Sequence, residues 1–222
     1  MTDPSPLPVD SPLDAYLAHH RQGVDRALLR AVDALAPALP EPWILAVRAG
    51  VLSGGKRLRP LVLMASSEAF GRTPSRPLYD LAASVELIHA YSLMHDDLPC
   101  MDDAELRRGR PTTHIAHGED TTVRAGAALI PLAALQALRA CAELGLDDDR
   151  AHRVVGSLLE AAGAGGMVGG QWLDLLGEGR PLGAAELDRL HNRKTGALLA
   201  SSLVVGAIAA GAPRRIEEAL GA

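Results

Sequence analysis

The chain has 222 residues, of which 48% are hydrophobic, and its formal charge at pH 7 is −5. That length suits one sizeable domain and is short for two. The negative charge, without a basic stripe of interleaved aromatic residues, argues against a nucleic-acid-binding protein. Cys100 and Cys141 are too few for a disulfide framework and predict reduced thiols in a cytoplasmic protein.

The pattern along the chain predicts an all-α protein, because Ala and Leu dominate over β-branched residues and no two-residue alternation marks a strand. Residues 1–12 are rich in proline and lack a basic start and an apolar run, so we expect a disordered lead-in and not a signal peptide. One helical domain is predicted over residues 13–222. Its helices are expected at Leu13–Leu35, Trp43–Leu52, Pro60–Phe70, Asp80–His95, Glu119–Leu144, Asp148–Leu176 and Ala184–Ala210, after which Pro213–Ala222 trails off.

An acidic segment in the middle of the chain is followed directly by a basic one. From His95 the sequence reads His-Asp-Asp-Leu-Pro-Cys-Met-Asp-Asp, and arginines follow at positions 107, 108 and 110. Clustered carboxylates favour a bound cation, and Mg2+ takes oxygen ligands from carboxylates, water and substrate phosphates. The planar guanidinium group of arginine is suited to hydrogen bonding with phosphate oxygens. The segment therefore indicates Mg2+-bridged diphosphate binding, and the alternative is a solvated acidic turn with surface salt bridges.

The position of this segment at a helix end favours the metal site. The helix should end near Leu98, because Pro99 lacks an N–H and disfavours helical geometry in its predecessor. Asp96 and Asp97 then lie in the last turn, where the helix dipole is negative and a cation would compensate. A break at Pro99 would also bring Asp102 back towards the pair.

Two glycine-rich segments are candidates for anion binding or close packing. Lys56, Arg57 and Arg59 follow a Gly-Gly pair, which is typical of a phosphate cradle, although a solvated basic turn has the same composition. The glycines between residues 163 and 170 follow no predicted strand, so they favour close approach of helices or ligand over a dinucleotide loop. Gln171 and Asp174 come next, three residues apart on one helix face.

Two further features have both a functional and a structural interpretation. His95, His114 and His117 could suggest zinc, but no cysteine cluster accompanies them, which favours hydrogen-bonding roles. The run Thr195–Ala212 is apolar and just long enough to raise the question of a membrane span. Its glycines and serines, and Lys194 at its edge, favour a buried core helix, so we predict no membrane span.

Four segments, in this order, resemble the motifs of the trans-isoprenyl diphosphate synthases, most closely those of bacterial farnesyl diphosphate synthases. They are Gly-Gly-Lys-Arg-Leu-Arg-Pro from Gly54, the acidic and arginine-rich run between His89 and His114, Gly-Gly-Gln-Trp-Leu-Asp-Leu from Gly169, and His-Asn-Arg-Lys-Thr-Gly-Ala-Leu from His191. The resemblance runs from about Leu13 to Ile208. It implies an isoprenoid synthase-type helical bundle around a central cleft.

The resemblance also implies a role for each candidate residue. Mg2+ would be held by Asp96, Asp97 and Asp102, and Arg107 would contact the allylic diphosphate. The diphosphate of isopentenyl diphosphate would be bound by Gly55, Lys56, Arg59, His89 and Arg108. The allylic site would be lined by Lys194, Thr195, Gln171 and Asp174, with Tyr91 as the floor of the product pocket. A bulky residue at that floor implies a short product such as farnesyl diphosphate.

The sequence departs from the family in one main respect. The family carries a second aspartate-rich motif downstream of Lys-Thr-Gly, and this sequence reaches Ala222 without one. We therefore expect a domain that is incomplete at its C-terminus. The preferred interpretation is a cytoplasmic, Mg2+-dependent prenyltransferase that condenses isopentenyl diphosphate with dimethylallyl or geranyl diphosphate and forms a homodimer. The alternative is a catalytically impaired or regulatory subunit that pairs with a complete synthase, or an inactive fragment.

Overall fold

The computed structural model describes residues 11–221. These residues confirm the all-α prediction, since they form eleven α-helices and only a two-residue ribbon of strands, β1 (Leu106–Arg107) and β2 (Arg110–Pro111). The helices are α1 Pro12–Leu35, α2 Glu41–Val51, α3 Leu58–Ala69, α4 Arg76–Asp96, α5 Thr113–His117, α6 Glu119–Glu143, α7 Asp148–Ala162, α8 Met167–Gly177, α9 Ala184–His191, α10 Ala197–Ala210 and α11 Arg214–Gly221.

Helix α4 lies at the centre of the bundle. Its side chains are buried around most of its circumference, including Leu81, Val85 and Ile88, which have no exposed surface. Helices α1, α2, α3 and α6 surround it, and one apolar cluster extends from Val24 in α1 to Ala209 in α10. Each such side chain contributes about 1.5–3 kcal/mol by burial. The acidic motif therefore follows the most firmly packed helix of the molecule.

Local signals explain where several helices begin. The Ser11 hydroxyl oxygen accepts the N–H of Asp14 at 3.1 Å, and the Asp147 carboxylate accepts the N–H of Arg150 at 2.8 Å. Both contacts satisfy a donor that a helix start otherwise leaves free. Helix α1 starts at Pro12, one residue before the prediction, so Pro12 does not belong to the lead-in. The rest of that predicted disordered segment, residues 1–10, lies outside the described residues.

Two predicted elements were wrong. The single helix expected over 148–176 is two helices, because the chain turns at residues 163–166, where Gly163 ends α7 in an extended conformation. The segment expected to trail off after Pro213 forms α11, which is held to α7 by an ion pair between Arg153 and Glu217. The first outcome follows from a glycine-rich turn within the segment, and the second from a tertiary contact.

Two helical stretches, Glu119–Glu143 and Ala184–Ala210, are long and apolar enough to cross a membrane by length and composition alone. Core helices of globular proteins also have these features. In the second stretch α10 packs between α3 and α7, and Leu198, Val205 and Ile208 are buried there. This packing supports the core-helix interpretation of the apolar run.

Candidate functional site

The acidic segment folds back onto the end of α4. Beyond the helix, the N–H of Asp102 donates to the carbonyl oxygen of Asp96 at 2.9 Å, and the N–H of Ala104 donates to that of Asp97 at 3.2 Å. Both bonds use carbonyl groups that the helix end leaves free. The chain turn at Pro99 therefore brings Asp102 back to the end of α4, as the sequence predicts.

The charges at this turn suit a divalent cation. Burial raises the pKa of Asp96 to about 6; Lys194 opposes the shift, while Asp102 and Asp97 add to it. Within residues 11–221 no group of three or more acidic, histidine or cysteine side chains is placed so that it could hold a metal ion by itself. Oxygen ligands with open coordination positions nevertheless fit Mg2+, which shares its coordination with water and substrate phosphates.

Asp97 has a different surrounding from Asp96. Both of its carboxylate oxygens accept hydrogen bonds from Arg107, at 2.9 and 2.8 Å to Nε and 2.5 Å to Nη2. The Asp97 side chain is only 4% exposed, so the charge-assisted pair fixes Arg107 and the strand β1 that carries it. The predicted roles of Asp97 as a metal ligand and of Arg107 as a diphosphate ligand stay predictions.

The glycine-rich loop after α2 meets the ribbon that follows the acidic segment. Gly54 and Gly55 have φ values of 81° and 138°, in the region that favours glycine. Arg108 donates from Nη1 to the carbonyl oxygen of Gly54, and a Cβ at Gly55 would overlap its guanidinium. Lys56, on the same loop, is exposed. Three residues predicted to bind isopentenyl diphosphate, Gly55, Lys56 and Arg108, are thus brought together from two loops.

A cavity of about 130 Å³ joins the two predicted substrate sites. Its lining contains Arg59 and His89, predicted for isopentenyl diphosphate, and Asp96, Gln171, Lys194 and Thr195, predicted for the metal and the allylic substrate. Burial, together with the positive charges of Arg59 and Arg108, lowers the pKa of His89 to about 3. His89 is therefore neutral at pH 7, and its ring can donate or accept a hydrogen bond beside the neighbouring arginines.

Helix α8 approaches the residues before α10 closely. A Cβ at Gly170 would overlap the backbone of Lys194, which confirms the close-packing interpretation of the glycines. Lys194 lies in the π-helical turn Asn192–Gly196 and forms an ion pair with Asp174. Both polar atoms of the Gln171 amide are buried without a hydrogen-bond partner among the described residues. An unpaired buried polar group costs about 1–3 kcal/mol, so this amide indicates a ligand.

A second cavity, of about 170 Å³, lies between α4 and α8. Tyr91 lines it on the α4 side, with its ring edge-on to His95 at 4.9 Å between centroids. Met167, Trp172 and Leu175 line the α8 side. Because Asp96 lies at one border, the cavity has the position expected for the hydrocarbon chain of a diphosphate bound at the acidic motif.

Comparison with known proteins agrees with this arrangement. The family model for polyprenyl synthetase matches residues 41–222. The chain belongs to the polyprenyl synthetase family. It is 38% identical over 208 residues to the farnesyl diphosphate synthase of Bacillus subtilis, covering 94% of this chain and 69% of that protein. It is 43% identical over 199 residues to the chloroplastic geranylgeranyl pyrophosphate synthase of Catharanthus roseus, covering 89% and 54%.

A solved structure extends the agreement to the fold. The apo crystal structure of an FPP/GFPP synthase from Zymomonas mobilis superposes with a TM-score of 0.82 at 34% identity, covering 94% of this chain and 74% of that one. The isoprenoid synthase-type fold is therefore confirmed for this polyprenyl synthetase family member. The chain spans 54% of the length of its relative from C. roseus and 69% of that from B. subtilis.

Hydrogen-bonding roles for two of the three histidines are confirmed. His95 Nε2 lies 3.1 Å from the carbonyl oxygen of Val123, and His114 Nδ1 lies 3.1 Å from the Thr112 hydroxyl. Sequence reasoning missed the role of Arg57, which is buried beneath the glycine-rich loop and paired with Glu86. The sequence contained one signal for this role: Glu86 lies inside the apolar stretch of α4, and a buried carboxylate needs a partner.

Proposed function

We propose that this protein is a prenyltransferase that condenses isopentenyl diphosphate with an allylic diphosphate, dimethylallyl or geranyl. The observation that carries the proposal is one cavity lined by Arg59 of α3 and His89 of α4, by Gln171 of α8 and Lys194 of the π-helical turn, and by Asp96 at the end of α4. Two anion-binding halves that open into one cavity suit a reaction between two diphosphates. Membership of the polyprenyl synthetase family supports the same chemistry.

Each half has a task in ionisation, condensation and elimination. Arg107 and Lys194 stabilise the negative charge that develops on the departing allylic diphosphate, because their positive charges are in place before the reaction. When bound at Asp96 and Asp102, Mg2+ would supply further neutralisation of that leaving group. Arg59, Lys56 and the neutral His89 hold the second diphosphate so that the isopentenyl double bond meets the allylic cation. The product double bond then forms by loss of a proton to the released diphosphate.

We further propose a short product, of farnesyl length, because Tyr91 lines the apolar cavity next to Asp96. Relatives of this chain include both farnesyl and geranylgeranyl synthases, so the product is a matter for measurement. A cytoplasmic location and a homodimeric assembly also stay predictions.

A second candidate is a subunit that acts with another prenyl synthase chain. One observation favours it: the chain is 43% identical over 187 residues, covering 82% of this chain and 50% of that protein, to a heterodimeric geranylgeranyl pyrophosphate synthase large subunit from Arabidopsis thaliana. In this role the cavity would bind substrates while a partner completes the metal site.

Incubating the purified chain with labelled isopentenyl diphosphate, geranyl diphosphate and Mg2+ tests the first proposal. We expect a farnesyl product that requires both substrates and disappears when the metal is chelated. Product that forms only after a complete synthase with an inactivated acidic motif is added would favour the subunit role. No condensation in either mixture would contradict both candidates.

A further inference from the structure

The loop that carries the predicted phosphate-binding residues has an unusual backbone at Arg57. This residue has a φ of 53°, in the left-handed region that non-glycine residues rarely adopt, and it lies between Lys56 and Arg59. A residue holds such a conformation only when its surroundings determine it. Its side-chain contacts are therefore informative.

Arg57 is 5% exposed and uses its guanidinium to join three elements. Nε donates to Asp25 of α1 at 2.9 Å, Nη1 donates to Glu86 of α4 at 2.9 Å, and Nη2 donates to the carbonyl oxygen of Val51 at 3.3 Å. A buried guanidinium is costly unless it is paired and hydrogen-bonded, and here the pairing is nearly complete. Lysine has no comparable planar fork.

Glu86 connects this network to the cavity. It is 3% exposed, one carboxylate oxygen binds Arg57, and the other, Oε2, has no hydrogen-bond partner among the described residues. His89 follows three residues later, on the same face of α4. Arg59 is influenced by the same carboxylate, since burial lowers its pKa and the charge of Glu86 opposes that shift. Arg59 Nε and His89 Nδ1 are also buried without partners in the described structure.

We propose that Arg57 and Glu86 are positioning residues that set the geometry of the isopentenyl diphosphate half of the site. Arg57 holds the loop so that Lys56 points to solvent while Arg59 reaches the cavity, and Glu86 compensates the charge of both arginines. The inference rests on the proposed function and deepens it. It assigns neither residue a contact with substrate.

The chain offers a matched control for a merely structural ion pair. Arg30 of α1 donates from Nη2 to Asp80 of α4, so this pair also ties α1 to α4, and Asp80 is 8% exposed. Neither Arg30 nor Asp80 lines the cavity or belongs to the glycine-rich loop. Arg30→Gln should lower stability without changing either substrate site.

The test measures binding of isopentenyl diphosphate and, separately, of a non-hydrolysable thio analogue of geranyl diphosphate by titration calorimetry. Wild type is compared with Arg57→Gln, Arg57→Lys, Glu86→Gln, Arg30→Gln and the milder Asp25→Asn, in which the half-exposed partner of Arg57 is neutralised. We expect Arg57→Gln and Glu86→Gln to weaken isopentenyl diphosphate about tenfold or more, as loss of one partner of a buried charge pair does. Binding of the allylic analogue should stay within about twofold, since separate sites behave independently.

The intermediate variants sharpen the result. Arg57→Lys should recover only part of the affinity, and Asp25→Asn should lose about two- to threefold, in line with a partly exposed pair. Equal weakening of both ligands by Arg57→Gln, or the same selective loss in Arg30→Gln, would overturn the proposal.

Hydrogen exchange of the segment 52–61 provides a readout that does not require substrate. Arg57→Gln should speed exchange there, including at the Leu61 N–H that donates to the Arg57 carbonyl oxygen, while Arg30→Gln should not. If wild type binds no isopentenyl diphosphate, the proposed function fails, and exchange still decides whether Arg57 fixes the loop. Unchanged exchange in Arg57→Gln would refute the positioning role in that case as well.

Discussion

The two halves of the shared cavity differ in how firmly their side chains are held. On the side of α3 and α4, Arg59 and His89 are backed by the buried network of Arg57 and Glu86. On the side of α8 and the π-helical turn, the Gln171 amide has no hydrogen-bond partner within residues 11–221, and Lys194 forms an ion pair with Asp174. Trp172, beside Gln171, is 61% exposed. Both halves contain polar groups that a ligand would pair, Arg59 Nε and His89 Nδ1 in the first and the Gln171 amide in the second, but only the first lies against a buried ion-pair network that is formed before ligand binds.

The largest expected effect comes from Asp96, which lies where the two halves meet. Asp96→Asn should lower Mg2+-dependent condensation by about 100-fold or more, beyond the 10–100-fold typical of residues that only support a metal ligand. The same variant should raise the free energy of unfolding by on the order of 1 kcal/mol, because it removes a partly desolvated charge. Steady-state kinetics and urea unfolding measure the two effects.

Asp103→Asn is the matched control within the same motif. Asp103 is exposed and has a φ of 47°, a conformation that asparagine also tolerates. Its activity and stability should remain at the wild-type level. Equal losses in both variants would mean that Asp96 has no special place in the site.

Tyr91→Ala tests the cavity between α4 and α8. Removing the ring enlarges the space of about 170 Å³ that it lines, so longer products should fit. The ratio of products longer than farnesyl diphosphate to farnesyl diphosphate should rise about tenfold or more, the scale on which apolar pockets discriminate one methylene. Chromatography of the dephosphorylated products measures the ratio, and an unchanged chain length would exclude Tyr91 as the floor.

Gly170→Ala tests whether the less ordered half still depends on close packing. The new methyl group would overlap the backbone of Lys194, so we expect a loss of about 1–3 kcal/mol in the free energy of unfolding. Gly156→Ala in α7, where no atom of residues 11–221 lies within 4 Å of the added methyl group, should stabilise the chain by up to about 1 kcal/mol. Urea denaturation of both variants gives the comparison. Similar effects at the two positions would contradict the contact.

The smallest expected effect concerns the pH dependence of the better ordered half. The pKa of His89 is lowered from its ordinary value of 6.5 to about 3 in the folded chain. Between these two pH values the unfolded chain binds a proton at His89 and the folded chain does not. Stability from this group is present above about pH 6.5 and is lost as the pH falls, by about 1 kcal/mol at pH 5.5. In His89→Gln the difference in unfolding free energy between pH 7.5 and pH 5.5 should shrink by that amount.

The control for this pH effect is His191→Gln, which removes an exposed histidine and should keep the wild-type difference. An identical pH difference in wild type and His89→Gln would show that His89 titrates alike in the folded and unfolded chains.

Sequence patterns predicted the helices that carry their own signals and failed where another element decides. Helix α6 was predicted to within one residue because Gly118 precedes it and its apolar pattern is continuous. Helix α11 was missed because its contacts are tertiary: it packs against α10, and Glu217 pairs with Arg153, 64 positions away.

The candidate site shows the same division. The motifs predicted Asp96, Arg59 and Lys194 as site residues, and these three line one cavity, while the metal-binding role of Asp102 stays a prediction. They did not reveal that Asp97 pairs with Arg107, nor that Arg57 faces inward in a run of three basic residues. A side chain whose role is to hold another side chain in place produces no local sequence pattern, since its partner is elsewhere in the chain.

The π-helical turn Asn192–Gly196 has a consequence for changes in chain length. Each residue of a regular helix rotates the next by about 100°, and a π turn accommodates one extra residue between α9 and α10. Deleting that residue would restore regular helical hydrogen bonding and move the residues of the turn, so Lys194 would shift relative to Asp174 while α9 and α10 keep their phase. The number of residues here is therefore constrained by the Lys194 ion pair, whereas the mostly exposed loop at residues 178–183 tolerates changes in length better.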